Sequence, residues 1–149
     1  MKQQNTDVAD FTDSHGAAST DVQDGDGEEH LLHHELTRPI IGAFYSVHSQ
    51  LGSGFLEAVY ANALAVLLRD AGFQVQREVP FDINFHGHII GRYRADLIVE
   101  SKVVVEVKCA HGIDGAHLAQ VLNYLHASKL RVGLLLNAGR KAEIRRVIA

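Results

Sequence analysis

Beyond residue 30 the chain alternates apolar and polar positions in a regular way, and the period of the alternation changes along it. Leu36, Ile40, Phe44, Val47 and Leu51 recur at helical spacing. Thr37 is the expected N-cap, because Pro39 fits a first helical turn. Gly52 and Gly54 end that helix, and a second carries Leu56, Val59, Tyr60, Ala63, Leu64, Leu67 and Leu68 up to Gly72. Strand-like runs then cover residues 74–79, 81–85, 88–99 and 102–108, with a turn at His86-Gly87. Residues 113–128 return to helical spacing. The run 131–137, RVGLLLN, is almost continuously apolar, as in a strand covered on both faces. A turn at 137–140 leads to a short terminal element. The order helix, helix, three or four strands, helix, strand predicts an α/β fold with a mixed β-sheet flanked by helices.

Composition narrows the class. The chain has 149 residues, enough for one domain with a real core. Its single cysteine, Cys109, excludes a disulfide framework and fits a reducing, cytoplasmic setting. No run approaches the roughly 18 apolar residues of a membrane span, and the first residues lack the apolar stretch of a signal peptide. The net charge of −4 is divided unevenly. Residues 1–29 carry eight acids against one lysine and show no apolar period, which predicts a disordered acidic tail. Residues 30–149, the expected folded domain, carry thirteen Lys and Arg against ten acids. That mild positive balance is compatible with a polyanionic partner and too weak to require one.

The chemistry concentrates in residues 93–108, YRADLIVESKVVVEVK. Alternation in a strand points Val103, Val105 and Val107 one way and Glu106 and Lys108 the other. A two-residue loop at Glu100-Ser101 would pair Asp96 with Val105 and separate the two acids. A three-residue loop, or one bulge, pairs Asp96 with Glu106 on one face, and this register is the expected one. Two adjacent carboxylates offer hard oxygen ligands to Mg²⁺ or Mn²⁺. The competing reading is a structural ion-pair cluster in which Arg94 or Lys108 neutralises the acids. His30, His33 and His34 could share a helix face and bind a transition metal, but they adjoin the acidic tail, and a solvated or adventitious site is the expected reading. Cys109 should point away from Lys108 into the interior, and His86 and His88 should be exposed. Arg92 and Arg94 are candidate phosphate contacts on a nucleic acid.

These residues form an ordered set: Gly54-x-x-Glu57-x-x-Tyr60, then YRADL with Asp96, then Glu106-Val-Lys108, then His117-x-x-Gln120 followed by Asn123-Tyr124. The set resembles the GxxExxY protein family of the PD-(D/E)XK nuclease superfamily, over roughly residues 30–148. The resemblance implies a restriction-endonuclease-like core with an extra N-terminal helix. It implies a metal-dependent nuclease acting on DNA or RNA, with Glu57, Asp96 and Glu106 holding Mg²⁺ or Mn²⁺. Lys108 would orient the attacking water and offset transition-state charge, and Gln120 would support the site. Tyr60, His117 and Tyr124 are supporting candidates; packing with a hydroxyl partner suits both tyrosines, and a helix-start hydrogen bond suits His117. A homodimer follows by analogy with nucleases in which one site cuts one strand. A different class of function keeps the same fold: a non-catalytic nucleic-acid-binding or assembly module. Two features depart from the family pattern, the acidic extension and Arg38-Pro39 at the start of the first helix.

Overall fold

The computed structural model describes the backbone of Val8–Phe11 and the whole of residues 32–149. The elements run β1 (Val8–Phe11), α1 (His34–Leu51), α2 (Glu57–Asp70), β2 (Val75–Phe85), β3 (His88–Val99), β4 (Val103–Lys108), α3 (Gly115–Ser128), β5 (Val132–Ala138) and β6 (Ala142–Ile148). The strands form one mixed sheet in the order β1-β6-β5-β4-β3-β2, parallel between β4 and β5 and antiparallel elsewhere. The expected mixed sheet flanked by helices is what the chain forms.

Helices cover both faces, which is why β5 could be read as doubly buried. On one side Ile40 and Phe44 of α1 and Leu64 and Leu68 of α2 pack on Leu97, Val105, Leu134, Leu136 and Ile144. On the other, Val121, Tyr124 and Leu125 of α3 pack on Ile98, Val104, Leu135 and Val147. Gly133 sets the second approach. A Cβ there would lie 2.5 Å from a methyl carbon of Val121, so only glycine lets α3 come this close.

Three local expectations change. The first helix starts one turn before Thr37: the Leu36 and Thr37 N–H groups both bond the His33 carbonyl, and Thr37 is buried inside the helix. Pro39 is tolerated because the carbonyl it cannot serve belongs to Glu35, which is exposed and open to water. The expected break at Pro80 does not occur, and residues 75–85 are one strand. β2 lies at the sheet edge and pairs only with β3, where a proline is accommodated. Within the acidic extension, Val8–Phe11 pairs antiparallel with β6, so those four residues depart from the expected disorder. The edge of β6 offers free backbone groups, and the sequence VADF supplies a short apolar match to them. Other residues of the extension, and His30, lie outside the described residues.

Candidate active site

The site forms where two strands part. β3 and β4 pair only through Leu97–Val105, Ile98–Val104 and Val99–Val103. The loop between them is therefore Glu100, Ser101 and Lys102, with Glu100 and Ser101 at positive φ (52° and 54°). This three-residue connection is the one expected, and it brings Asp96 and Glu106 to the fork just beyond the last pair, Leu97–Val105. Beyond Leu97 the strands separate: β3 continues alongside β2, and β4 alongside β5. The Asp96 side chain fills the gap at the fork, Oδ2 accepting the Val107 N–H at 2.7 Å in place of a ladder bond. On the far side of β3, Glu78 takes φ 50°. There the ribbon turns over, since Arg77 and Leu97 lie on the α1–α2 side whereas Val79 and Ala95 lie on the α3 side.

Glu106 and Lys108 project to the α3 face, because Val105 and Val107 occupy the other. The Lys108 Nζ is 3.4 Å from Glu106 Oε1, so the ion-pair contact exists. It satisfies half the carboxylate only. Glu106 is 4% exposed, and its Oε2 is buried without a hydrogen-bond partner. Burial, then the neighbouring Asp96 charge, pushes the Glu106 pKa up to about 8, with Lys108 and the Asp96 N–H acting the other way. The Asp96 pKa is also raised, first by burial and then by Glu57, with the Val107 N–H, Lys108 and Arg77 acting the other way. Two carboxyls at a fork, each held towards its protonated form and one with an orphaned oxygen, suit a divalent cation that would replace the proton.

Glu57 reaches this group differently from the sequence expectation. It is the exposed first residue of α2, which packs on the opposite face of the sheet from Glu106 and Lys108. Its charge acts on Asp96 and Cys109 at the sheet end. Among the described residues, no group of three His, Cys, Asp or Glu side chains is placed to hold a metal ion between them. Asp96 and Glu106 are thus brought together, and Glu57 stands beside Asp96 without completing a three-ligand set.

The remaining candidates fall into two groups. Gln120 and Tyr124 lie on the site's α3 side: Gln120 Nε2 donates to the Tyr124 hydroxyl at 2.8 Å. The Tyr124 pKa is pushed up to about 12, by burial first and then by Glu106. Tyr93 meets the Tyr124 ring edge-on, with centroids 5.5 Å apart. The others are occupied elsewhere. His117 caps α3, its N–H donating to Asp114 and its Nδ1 accepting the Asp114 N–H. Tyr60 is buried and braces the glycine turn: its hydroxyl donates to the Gly52 carbonyl and accepts the Phe55 N–H. Arg92 pairs with Asp82 across the hairpin at 3.0 Å, while Arg94 is exposed.

At the end of β4, where Glu57 approaches Cys109, lies an open cleft of about 720 Å³; Glu57 lines it, whereas Asp96, Glu106 and Lys108 do not. Ser53, Gly54, Phe55, Leu56 and Glu57 form one wall; Cys109, Ala110, His111 and the turn at Ala138, Gly139 and Arg140 form the other. Cys109 is exposed, contrary to the expectation of a buried thiol, because the strand ends at Lys108 and the chain turns outward into this wall. Sequence reasoning missed this wall and Arg77. Arg77 had a visible signal, as the one charged residue among the inward positions Val75, Val79 and Phe81. The cleft wall had none, because its residues come from separate turns.

No curated protein matches the chain. Among solved structures, one titled "Crystal structure of SSO0001" is similar at 21% identity and a TM-score of 0.49. The similarity covers 81% of this chain and 60% of that one, so the chain spans about three-fifths of its length. Residues 34–147, from the first turn of α1 to the penultimate residue of β6, match the PD-(D/E)XK nuclease superfamily, and the chain belongs to that superfamily.

Proposed function

We propose that the protein is a divalent-metal-dependent nuclease of the GxxExxY family, hydrolysing phosphodiesters of DNA or RNA. The observation that carries this reading is the buried, half-satisfied Glu106 facing Asp96 at the β3–β4 fork. A carboxylate with an orphaned oxygen and a neighbouring acid is costly to the fold and useful to a cation. Asp96 and Glu106, with Glu57 approaching from α2, are the residues that would hold Mg²⁺ or Mn²⁺. When bound, such an ion supplies positive charge that polarises the scissile phosphate and stabilises the leaving oxygen. Lys108, held against Glu106, is placed to orient the attacking water and to offset charge growing on the phosphate. Gln120 steadies the Tyr124 hydroxyl at the rim. Membership of the GxxExxY family is supported by its motif residues: Gly54 makes the turn at φ 111°, Tyr60 braces it, and Glu57 is delivered to the cleft. The exposed Cys109 thiol suits a reducing cytoplasmic setting.

Lys108→Ala should reduce cleavage of an oligonucleotide in Mn²⁺ by about 10²–10⁴-fold. Binding of the same oligonucleotide in EDTA should change little. Cleavage that survives the combined Asp96→Asn and Glu106→Gln change would refute the nuclease reading. A second reading, a non-catalytic nucleic-acid-binding module, draws support from the lack of a preassembled three-ligand group among the described residues. It predicts salt-sensitive binding with no turnover in either ion.

A further inference from the structure

The cleft that Glu57 lines is more elaborately built than metal binding requires. Its inner wall is fixed by a fully buried Asn137, whose Oδ1 accepts the Ala110 N–H at 2.8 Å and whose Nδ2 donates to the Ala110 carbonyl at 3.0 Å. Gly139 packs so tightly beneath that a Cβ would come within 2.4 Å of the Ala110 oxygen. The Gly139 carbonyl is in turn held by His48 Nε2 at 2.8 Å. This wall presents Arg140 and His111 to the cleft. The outer wall is fixed by Tyr60, and it presents apolar surface. Phe55 is 49% exposed and Leu56 81% exposed, with the Phe55 ring held edge-on to Tyr60. Leu56 also occupies the N-cap of α2, where no side chain caps the helix and a hydroxyl or amide residue would ordinarily serve.

Two rigid walls, one offering an aromatic ring and an isolated leucine, the other a guanidinium and an imidazole, match a ligand with a flat apolar face and an attached anion. A nucleotide has both. In a continuous duplex the π-face of each base is covered by the base pairs stacked above and below it, so the Phe55 ring can stack only on a base that is free of that stack, as in a single strand or an unpaired end. The space of about 720 Å³ lies within the range of small-ligand clefts and exceeds what a lone phosphate needs. We propose that this cleft takes the unpaired nucleotides next to the scissile phosphate: Phe55 and Leu56 pack against a base, and Arg140 and His111 meet the adjoining phosphates. The substrate is thereby a single strand, or an unpaired end or flap, rather than continuous duplex. This inference rests on the nuclease reading for the position of the cut, but it is tested without turnover.

The test is binding in EDTA, followed by anisotropy of labelled oligothymidylate, oligouridylate and a blunt duplex of the same length. Wild type should bind a single strand at least about tenfold more tightly than the duplex. Phe55→Ala should remove about tenfold of single-strand affinity, and Leu56→Ala, at an exposed position, should weaken it several-fold without disturbing the fold. Arg140→Ala should lower the salt dependence by about one counterion. Because the chain has no tryptophan, Phe55→Trp supplies a single indole reporter. Its emission should be quenched on titration with oligothymidylate while affinity is kept. The two oligonucleotides distinguish DNA from RNA as the source of the strand. Duplex preference, unchanged affinity in both alanine variants, or an indole unaffected by saturating single strand would overturn the inference. Cleavage that survives the combined Asp96→Asn and Glu106→Gln change would instead overturn the nuclease reading and leave these binding results standing.

Discussion

Replacing Glu106 by glutamine should stabilise the metal-free protein above neutral pH while destroying its response to metal. In the folded chain the Glu106 proton is lost near pH 8, whereas in the unfolded chain the ordinary value is 4.5. A carboxyl raised in this way contributes stability that is fully present below its unfolded pKa and is lost as pH rises through the folded value. Each pH unit between the two values removes about 1.4 kcal/mol. From pH 5 to pH 8 wild type should thus lose up to about 4 kcal/mol from this proton, which the cluster with Asp96 and Lys108 holds jointly. Glutamine is neutral at every pH, so Glu106→Gln escapes the loss. The measurement is thermal unfolding in EDTA, followed by circular dichroism, for both proteins between pH 5 and pH 8.5. Their melting temperatures should lie close together at pH 5 and diverge by on the order of 10 °C at pH 8, with the variant higher. Added Mn²⁺ should then raise the wild-type midpoint, more steeply at higher pH as the ion displaces the proton, and leave the variant where it was. A gap that stays constant across the range would refute the claim that burial holds Glu106 neutral, and with it the electrostatic basis of the site.

Two further outcomes test the frame around the site. Gly133→Ala drives a methyl against Val121 at the closest approach of α3 to the sheet, and should cost about 1–3 kcal/mol in urea unfolding. Full stability in that variant would show that α3 moves freely. Asn137→Ala leaves the Ala110 N–H and carbonyl without their partner, and should cost about 2–4 kcal/mol. It should also accelerate amide exchange at Ala110, where unchanged exchange would count against a fixed cleft wall.

The sequence carried the fold well where a physical period was unbroken. The buried run of β5 and the stripe of α2 from Tyr60 onward were legible because burial dictates both. The three-residue connection between β3 and β4 was legible too, since a loop of three rather than two residues was needed to bring the two acids together. Failures occurred where tertiary contacts override local preference. Leu56 and Val59 extend the stripe of α2 on paper, yet the helix start overhangs the cleft and exposes both. Thr37 has N-cap chemistry, but the turn at His33 had already started the helix. Glu57 is correctly spaced for its helix, but nothing in its spacing says which face of the sheet that helix covers. Arg92 was a candidate for phosphate because its partner, Asp82, becomes adjacent only once the hairpin closes.

The fork at Asp96 divides the labour between the two strand acids unequally. Asp96 accepts a backbone N–H that the departing strand leaves behind, so the sheet itself needs an acceptor there. Glu106 takes the Asp96 N–H and faces Lys108, but one of its oxygens is buried without a partner and its charge is unwelcome. A chain of this fold that had given up cutting would still gain from keeping the aspartate, and would gain from losing the glutamate. On the proposed nuclease reading, the glutamate rather than the aspartate is therefore the acid whose presence the fold alone does not explain.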